Sequence, residues 1–252
     1  MKLHSTSLLA LTLLVFLVSN GRGNAGQSNV PLRDWVSLSE WAKQNDFKLI
    51  WLKKDDSLTL TKQAARLSFK IDSLSAEING VTVWLHDPIA LRDGQVCVAS
   101  LDLLATIRPV LFPATNHPGN SIKTICLDPG HGGKDTGGTA GTFLEKRYTL
   151  LLAKELEKQL RAAGFKVLLT RTKDKFVELE DRPEFASRHQ ADLFISLHFN
   201  ISPQGEASGV EVYCLTPPQR SSTNARGESA DTAPWPVNRQ DAQNVLLAYQ
   251  LQ

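Results

Sequence analysis

The sequence has almost no net charge, few cysteines and a single long apolar run, and each of these shortages narrows the class of protein. Its 28 Lys and Arg residues nearly balance its 26 Asp and Glu residues, which gives a formal net charge of +2 at pH 7. A chain with so little net charge is not expected to bind nucleic acid or a membrane surface by electrostatic attraction. Charged residues make up 21% of the chain and hydrophobic residues 42%, as in ordinary globular proteins, so wholesale disorder is not expected.

The one long apolar run lies near the N-terminus, from Leu8 to Val18, within "MKLHSTSLLALTLLVFLVSNGRGNA". It is too short to cross a bilayer core of about 30 Å as a helix. A lysine precedes the run, and Gly23 and Ala25 are the small residues that a signal peptidase requires. We therefore predict that residues 1–25 are a cleavable secretory signal outside the fold. No later segment is long and apolar enough to span a membrane, so we expect an exported protein of the periplasm, the cell envelope or the extracellular space.

The three cysteines, Cys97, Cys126 and Cys214, lie in apolar runs that look like strands. An odd number of cysteines in an exported chain leaves at least one thiol unpaired. We expect buried thiols that pack as small apolar residues. A Cys126–Cys214 disulfide is the less favoured alternative.

Residues 30–112 are predicted to form a small strand-rich α+β domain. The segments "FKLIWL", "SLTLT", "ARLSFKI" and "VTVWL" show the period of two that is typical of half-buried strands. A short helix is predicted over 38–44, and the Asn79-Gly80 and Asp93-Gly94 pairs predict turns between apolar runs. The turn pattern resembles the small domain first named for the N-termini of copper amine oxidases, a resemblance that implies no copper here. We expect His86, the only histidine of this region, at the surface.

A linker and an α/β domain follow. Residues 113–121, rich in Pro, Gly and Asn, are the predicted linker. Residues 122–252 then alternate strands and helices, which predicts a largely parallel sheet. "TICLD", "FKVLLT", "ADLFISL" and "GVEVYCL" are the predicted strands. "LEKRYTLLLAKELEKQLRAAG" predicts a helix in which apolar residues recur every four positions on one face: Leu144, Tyr148, Leu152, Leu156 and Leu160.

Two histidines and one glutamate lie where such a sheet forms its sites. His131 follows the first strand in the Gly-rich stretch "CLDPGHGGKDTGG", His198 follows "DLFISL", and Glu145 opens the first helix. Because sites in open α/β sheets lie beyond the carboxyl ends of the strands, we expect the three side chains to converge. Two imidazoles and a carboxylate leave a fourth tetrahedral position open, as in hydrolytic zinc sites. The glycines of the stretch are expected to permit a sharp turn and to leave space for substrate.

Each of these residues also has an ordinary structural interpretation when it is taken alone. His131 suits a Gly-rich turn without any ligand role. Glu145 suits a helix N-terminus, where the macrodipole favours a negative charge. His198, at the end of a wholly apolar strand, is either a hydrogen-bonded core residue or a site residue.

Several motifs surround the three positions: the "DPGHGG" turn, the "EK" that opens the helix, "LTR", an arginine in the next helix, and "SLHFN". Together they closely resemble the zinc-dependent N-acetylmuramoyl-L-alanine amidases of bacterial cell walls. The resemblance covers residues 122–251, with Phe199 where the family usually has a small residue. It implies a three-layer amidase domain built on a largely parallel twisted sheet, with Zn²⁺ bound by His131, Glu145 and His198.

The resemblance also implies a function. Zinc activates water, which cleaves the amide between N-acetylmuramic acid and the L-alanine of the stem peptide. Peptidoglycan is thus the expected substrate, and residues 30–112 are expected to bind the wall or a protein partner.

Four further polar residues are candidates for supporting roles. Asp128, Asp135 and Asn200 suit partners that orient the histidines, although turn capping explains the two aspartates equally well. Arg171 either contacts a substrate carboxylate or braces the edge of the sheet, and we favour bracing.

One departure from the family concerns the general base. The family carries it as a glutamate on the last strand, in a pattern like "LvEtGFlsN", and nothing in this sequence matches that pattern. Glu211, in "GVEVYCL", belongs to a different strand. We therefore expect the base beyond Gln252. The closing helix "RQDAQNVLLAYQLQ" also ends with its apolar face unused, which suggests that the domain is truncated at its C-terminus.

Two alternatives remain beside a secreted amidase. One is a non-catalytic peptidoglycan-binding or regulatory protein that keeps the zinc site and lacks the general base. The other is a different zinc hydrolase of the envelope, such as a carboxypeptidase or a sugar deacetylase. A carboxypeptidase usually places its first His and Glu about three residues apart, whereas His131 and Glu145 are fourteen apart here, so the carboxypeptidase is disfavoured.

Overall fold

The computed structural model describes residues 9–17, 34–115, 121–201, 209–215 and 240–252. The chain divides into two units. We call residues 24–117 with 216–249 the strand-rich unit, and residues 1–23 with 118–215 and 250–252 the α/β unit. Among the described residues, no helix has the length and apolar character needed to cross a membrane.

The strands, in chain order, are β1 (Leu9–Leu17), β2 (Trp35–Ser37), β3 (Lys48–Lys53), β4 (Ser57–Lys62), β5 (Ala65–Lys70), β6 (Ser75–Ile78), β7 (Val81–Trp84), β8 (Ala90–Arg92), β9 (Gln95–Ala99), β10 (Thr124–Pro129), β11 (Thr139–Ala140), β12 (Phe143–Leu144), β13 (Lys166–Leu169), β14 (Leu193–Ile201) and β15 (Gly209–Tyr213). The α-helices are α1 (Leu38–Gln44), α2 (Ser100–Asp102), α3 (Arg108–Leu111), α4 (Glu145–Ala162), α5 (Asp181–Arg188) and α6 (Asp241–Leu251). A π-helical turn, Leu103–Ile107, joins α2 to α3, and Pro113–Thr115 is a short 3-10 turn.

The strand-rich unit is built on an antiparallel meander in the order β3-β4-β5-β6-β7 and a three-stranded sheet in the order β2-β9-β8. Leu60, Leu67 and Ile78 face one another across β4, β5 and β6 and are fully buried. The Asn79-Gly80 and Asp93-Gly94 pairs form two-residue hairpin turns with positive φ at both positions, the geometry that Asn-Gly and Asp-Gly favour. The predicted turns and helix α1 are therefore confirmed.

His86 is half-buried and its side chain is largely shielded from solvent, so the expectation of a surface residue is wrong. Its side chain is 10% exposed, and its Nδ1 lies 2.9 Å from Oδ1 of the buried Asp102. Asp102 also accepts hydrogen bonds from the backbone N–H groups of His86 and Asp87. A buried carboxylate requires such partners, and the sequence pattern around His86 does not reveal a partner sixteen positions away.

Helix α6 packs against the core of the strand-rich unit, whereas the sequence placed it in the α/β domain of residues 122–252. Val245 and Tyr249 contact that core, and the Tyr249 hydroxyl donates a hydrogen bond to the Ile78 carbonyl at 3.1 Å. We expected a missing C-terminal strand to cover the apolar face of α6. The core of the strand-rich unit covers this face instead. Local periodicity shows that a face is apolar and does not show which core covers it.

The α/β unit is built on a five-stranded sheet in the order β13-β10-β14-β1-β15. β10 runs parallel to both β13 and β14, as the strand–helix alternation predicted. β1 is antiparallel to β14 and parallel to β15, so these two strands run the other way. Helix α5 packs Ala186 against Cys126 and Phe194 of the sheet. The predicted α/β class is confirmed.

The apolar run near the N-terminus forms strand β1 inside this sheet, although residues 1–25 were expected to lie outside the fold. Its register places Thr12 opposite His198 and Val15 opposite Ile195, and Val15 is fully buried. Periodicity cannot distinguish a signal-type apolar run from a strand that is buried on both faces, which explains the difference. The cleavable secretory signal itself stays a prediction.

The cysteines are thiols, and no disulfide joins Cys126 to Cys214. Cys97 and Cys126 are buried, as expected for thiols that pack as apolar residues. Burial raises the pKa of the Cys126 thiol to about 12, so this thiol is protonated and unreactive at neutral pH.

The start of α6 generates a prediction about pH and stability. Asp241 Oδ1 is buried without a hydrogen-bond partner among the described residues, and burial raises the pKa of this carboxyl to about 7. The folded chain therefore holds the proton more tightly than the unfolded chain. Stability contributed by this group is present below a pH of about 4 and is lost as the pH rises to about 7.

We expect Asp241→Asn to stabilise the strand-rich unit by about 1–3 kcal/mol at pH 8 and by less at pH 5, because the amide removes the buried charge. The α/β unit contains no tryptophan. Unfolding is therefore followed by tryptophan fluorescence, to which only the strand-rich unit contributes. The exposed Asp55→Asn in the same unit is the matched control. Equal gains at both pH values would contradict the assignment.

Candidate metal centre

Three elements of the α/β unit bring the predicted ligands together. His131 lies in the turn after β10, Glu145 is the first residue of α4, and His198 lies on β14, which pairs with β10. The short hairpin β11–β12 returns the chain from the His131 turn to the start of α4. The convergence that the strand-end argument predicted is therefore present.

The ligand atoms lie at distances that suit a tetrahedral metal ion. His131 Nε2 is 3.0 Å and His198 Nδ1 is 3.1 Å from Glu145 Oε1, and the two nitrogens are 3.1 Å apart. Tetrahedral zinc with bonds of about 2.0–2.1 Å places its ligand atoms about 3.3 Å from one another. In the part of the chain that the structure describes, this is the one cluster of three such residues.

Glu145 is buried, being 3% exposed, yet its surroundings favour the carboxylate. Burial acts to raise its pKa, but contacts with His131 and His198 and hydrogen bonds from the backbone N–H groups of Gly138 and Phe199 outweigh burial. The pKa of Glu145 is thereby held well below its usual range. Glu145 thus presents a charged ligand oxygen at any physiological pH.

His131 is oriented by a second carboxylate. Its Nδ1 lies 2.9 Å from Asp135 Oδ2, which leaves Nε2 directed at Glu145. Asp135 is itself fixed, because its Oδ1 accepts a hydrogen bond from the Gly137 N–H at 3.0 Å. The contact with Glu145, and to a lesser degree that with Asp135, raises the pKa of His131 against the opposing effect of burial. A ligating histidine typically has such a carboxylate partner on its other nitrogen.

The space beside the glycines of the turn is occupied by other groups of the protein. The expectation that these glycines leave space for substrate is therefore not met. A Cβ on Gly130 would overlap the His198 imidazole, and a Cβ on Gly137 would lie 2.5 Å from the His131 ring. Gly133, at φ +58°, would meet the backbone N of Phe176 at 2.6 Å. These glycines therefore permit close packing of the ligand rings and of the loop after β13.

Asp128 does not orient a histidine. Its hydrogen bonds among the described residues go to Arg182 at 2.8 Å, to Ser196 at 2.7 Å and to Thr170. Its position on buried β10 explains this, because a buried carboxylate there pairs with the nearest buried cation. The side chain of Asn200 lies outside the described residues. Arg171 bonds to backbone carbonyls, as the bracing interpretation expected.

The buried face of α4 is displaced by one residue from the predicted one. Glu145, Thr149 and Ala153 are buried, whereas Tyr148 of the predicted face is 40% exposed and Leu152, Leu156 and Leu160 are only half-buried. Thr149 donates a hydrogen bond to the Gly130 carbonyl at 2.9 Å. The apolar periodicity failed here because the inward face carries polar residues that serve the site.

An aromatic cluster borders the ligands, and sequence reasoning had recognised only one member of it. Phe143 stacks on Tyr148 with ring centroids 4.4 Å apart and meets Phe199 edge-on at 6.5 Å. Phe199 follows His198, and Phe143 precedes Glu145 by two residues. The unusual Phe199 of the "SLHFN" motif is the sequence signal that leads to this cluster.

Comparison with family models identifies both parts of the chain. Residues 125–244 match the N-acetylmuramoyl-L-alanine amidase model, and residues 28–106 match the copper amine oxidase N-terminal domain model.

Curated relatives match over part of their length. The probable cell wall amidase LytH of Staphylococcus epidermidis is 46% identical over 102 residues, which cover 39% of this chain and 33% of LytH. The amidase AmiA of Salmonella typhimurium is 40% identical over 131 residues, covering 51% of this chain and 45% of AmiA. AmiA of Escherichia coli is 38% identical over 140 residues, covering 55% and 48%. The chain thus spans less than half the length of these relatives.

Solved structures of amidases also match a part of the chain. The catalytic domain of CwlV from Bacillus (Paenibacillus) polymyxa is 34% identical, with 28% of this chain and 41% of that one covered and a TM-score of 0.27. AmiC2 of Nostoc punctiforme is 42% identical, with 29% and 41% covered and a TM-score of 0.27. By the family comparison, residues 125–244 of this chain are similar to the N-acetylmuramoyl-L-alanine amidase family.

Proposed function

We propose that this protein is a zinc-dependent peptidoglycan hydrolase that cleaves the amide between N-acetylmuramic acid and the L-alanine of the stem peptide. The observation that carries the proposal is the cluster of His131, Glu145 and His198, with candidate ligand atoms 3.0–3.1 Å apart, inside the segment that matches the amidase family model. A relative of this segment is named as a probable cell wall amidase, which supports peptidoglycan as the substrate.

The residues of the cluster suit zinc in number, type and charge. Two neutral imidazoles and one carboxylate leave a net charge of +1 on a bound zinc ion and one tetrahedral position open. Zinc at such a site supplies Lewis-acid polarisation of a carbonyl and activation of water near neutral pH. Asp135 holds His131 in one orientation, and the hydrogen bonds to Glu145 keep that carboxylate ionised.

The alternative, a zinc-binding wall protein without hydrolytic activity, is favoured by one observation. Among the described residues the candidate cluster contains a single carboxylate, Glu145, which the proposal assigns to the metal ion and not to proton transfer. Loss of a general base typically lowers a rate by about 10²–10⁴-fold. The proposed amidase therefore requires a further carboxylate beside the site.

One prediction from this proposal concerns the metal. We expect about one zinc ion per chain, and we expect His198→Ala to lower the affinity at least tenfold because it removes a ligand. The exposed His189→Ala is the matched control. Metal analysis and competition with a chromophoric chelator measure both. Full stoichiometry and unchanged affinity in the His198→Ala chain would overturn the ligand assignment.

Another prediction from this proposal concerns the reaction. Purified peptidoglycan should release intact stem peptides with a free L-alanine amino group, chelation should stop this release, and added zinc should restore it. Glu145→Gln should abolish the reaction because the amide lacks the ligand charge, whereas Glu155→Gln, on the exposed face of the same helix, should not.

Mass spectrometry of the soluble products separates the candidate functions. Shortened stem peptides would indicate a carboxypeptidase, and deacetylated sugars would indicate a deacetylase. A zinc-loaded chain that releases no product would support the non-catalytic alternative.

We also propose that the strand-rich unit holds the enzyme on the wall and that the protein acts outside the cytoplasm. The family match of residues 28–106 to a separate domain model supports a distinct role for this unit. The full chain carrying His198→Ala should co-sediment with purified peptidoglycan sacculi without digesting them. If the chain stays in the supernatant, the strand-rich unit does not bind the wall, and the remaining role for it is to bind a protein partner.

A further inference from the structure

Two buried arginines, Arg171 and Arg182, surround the turn that carries His131. Arg171 follows β13 and is 3% exposed, and Arg182 lies in the first turn of α5 and is 5% exposed. Neither guanidinium is accessible to a substrate carboxylate. Most of their hydrogen bonds go instead to backbone carbonyl groups.

The two guanidiniums bind three successive carbonyl groups of the turn. Arg171 donates from Nε to the Pro129 carbonyl and from Nη2 to the Gly130 carbonyl, both at 2.8 Å. Arg182 donates from Nη1 to the Pro129 carbonyl and from Nη2 to the His131 carbonyl, both at 3.1 Å. The backbone on both sides of the His131 Cα is therefore fixed by charged donors, which form stronger hydrogen bonds than neutral ones.

This backbone requires such support. His131 has φ +62°, a left-handed conformation that is unfavourable for a residue with a Cβ. A residue stays in such a conformation when its surroundings determine it. Because the imidazole direction follows the backbone, the carbonyl contacts also determine where His131 Nε2 lies relative to Glu145.

Arg171 also reaches the helix that supplies the second ligand. Its Nη2 donates to the Lys146 carbonyl at 2.8 Å and lies 3.1 Å from the Thr149 hydroxyl. Thr149 donates in turn to the Gly130 carbonyl. One guanidinium group thus joins the His131 turn to the first turn of α4, which begins with Glu145.

Stability alone does not account for this arrangement. Of the two cations, only Arg182 pairs directly with a buried carboxylate among the described residues, Asp128 at 2.8 Å. Burial, and then repulsion from Arg182, lowers the pKa of Arg171. Buried charges are costly, and well-packed apolar residues frequently replace them without loss of stability.

We propose that Arg171 and Arg182 are positioning residues for the metal centre. Arg171 sets the separation between His131 and Glu145, and Arg182 holds His131 in its left-handed conformation. The proposal rests on the proposed function only in that it requires the cluster to bind a metal ion.

The test uses Arg171→Lys and Arg182→Lys in the full chain, because lysine keeps the charge and loses the planar set of donors that reaches several carbonyls at once. Arg161→Lys, which alters contacts with Glu157 and the Val167 carbonyl, and Arg188→Lys, which alters an exposed pair within α5, are the controls away from the metal centre. Zinc affinity is measured on metal-free protein by chelator competition. The visible spectrum of the cobalt(II) form reports ligand geometry, and circular dichroism reports folding.

We expect both lysine variants to lose about 10–100-fold in zinc affinity, the range for groups that orient ligands, and to show an altered cobalt spectrum. The controls should match the unmodified chain. Unchanged affinity and spectrum in folded Arg171→Lys and Arg182→Lys chains would overturn the proposal, whereas an unmodified chain that binds no zinc would overturn the proposed function instead.

If a lysine variant does not fold, the Thr149→Val variant tests the proposal instead. It removes the hydroxyl that contacts both Gly130 and Arg171 and keeps the side-chain shape. A folded Thr149→Val chain should lose zinc affinity by a smaller factor with the same change in the cobalt spectrum. Unchanged zinc affinity and cobalt spectrum in that chain would count against the proposal.

Discussion

The candidate site depends on one buried carboxylate. Glu145 is 3% exposed and is held by two imidazoles and two backbone N–H groups. A buried charge of this kind is tolerable only with several hydrogen-bond partners. Its partners come from the His131 turn, the hairpin before α4 and strand β14, so the carboxylate fixes the relative positions of all three.

The turn that carries His131 is the second constraint. Its left-handed backbone is supported by charged donors from Arg171 and Arg182 and by close packing at Gly130 and Gly133. The turn is thus closely packed at these glycines, although Lys134 and Thr136 of the Gly-rich stretch are exposed. Its glycines are required because ligand rings and neighbouring backbone occupy the positions where side chains would begin.

Sequence reasoning succeeded where the signal is local or follows from strand order. Two-residue turns such as Asn79-Gly80, the helix over 38–44 and the convergence of residues at strand ends all belong to this class. It failed for the buried face of α4, because Thr149 and Glu145 face inward for reasons that apolar periodicity does not record. It also failed for His86, whose partner Asp102 is distant in sequence.

The sequence by itself determined the residue types of the candidate site, the resemblance of residues 125–244 to the amidase family and the alternation of strands and helices in the α/β unit. Only the tertiary structure decided which ring nitrogens face Glu145, that Leu9–Leu17 lies in the sheet, that α6 covers the strand-rich core, and that two arginines hold the turn. The physical reason is that these contacts join residues far apart in the chain. Buried polar groups take the nearest partner that packing supplies, and no local pattern specifies that partner.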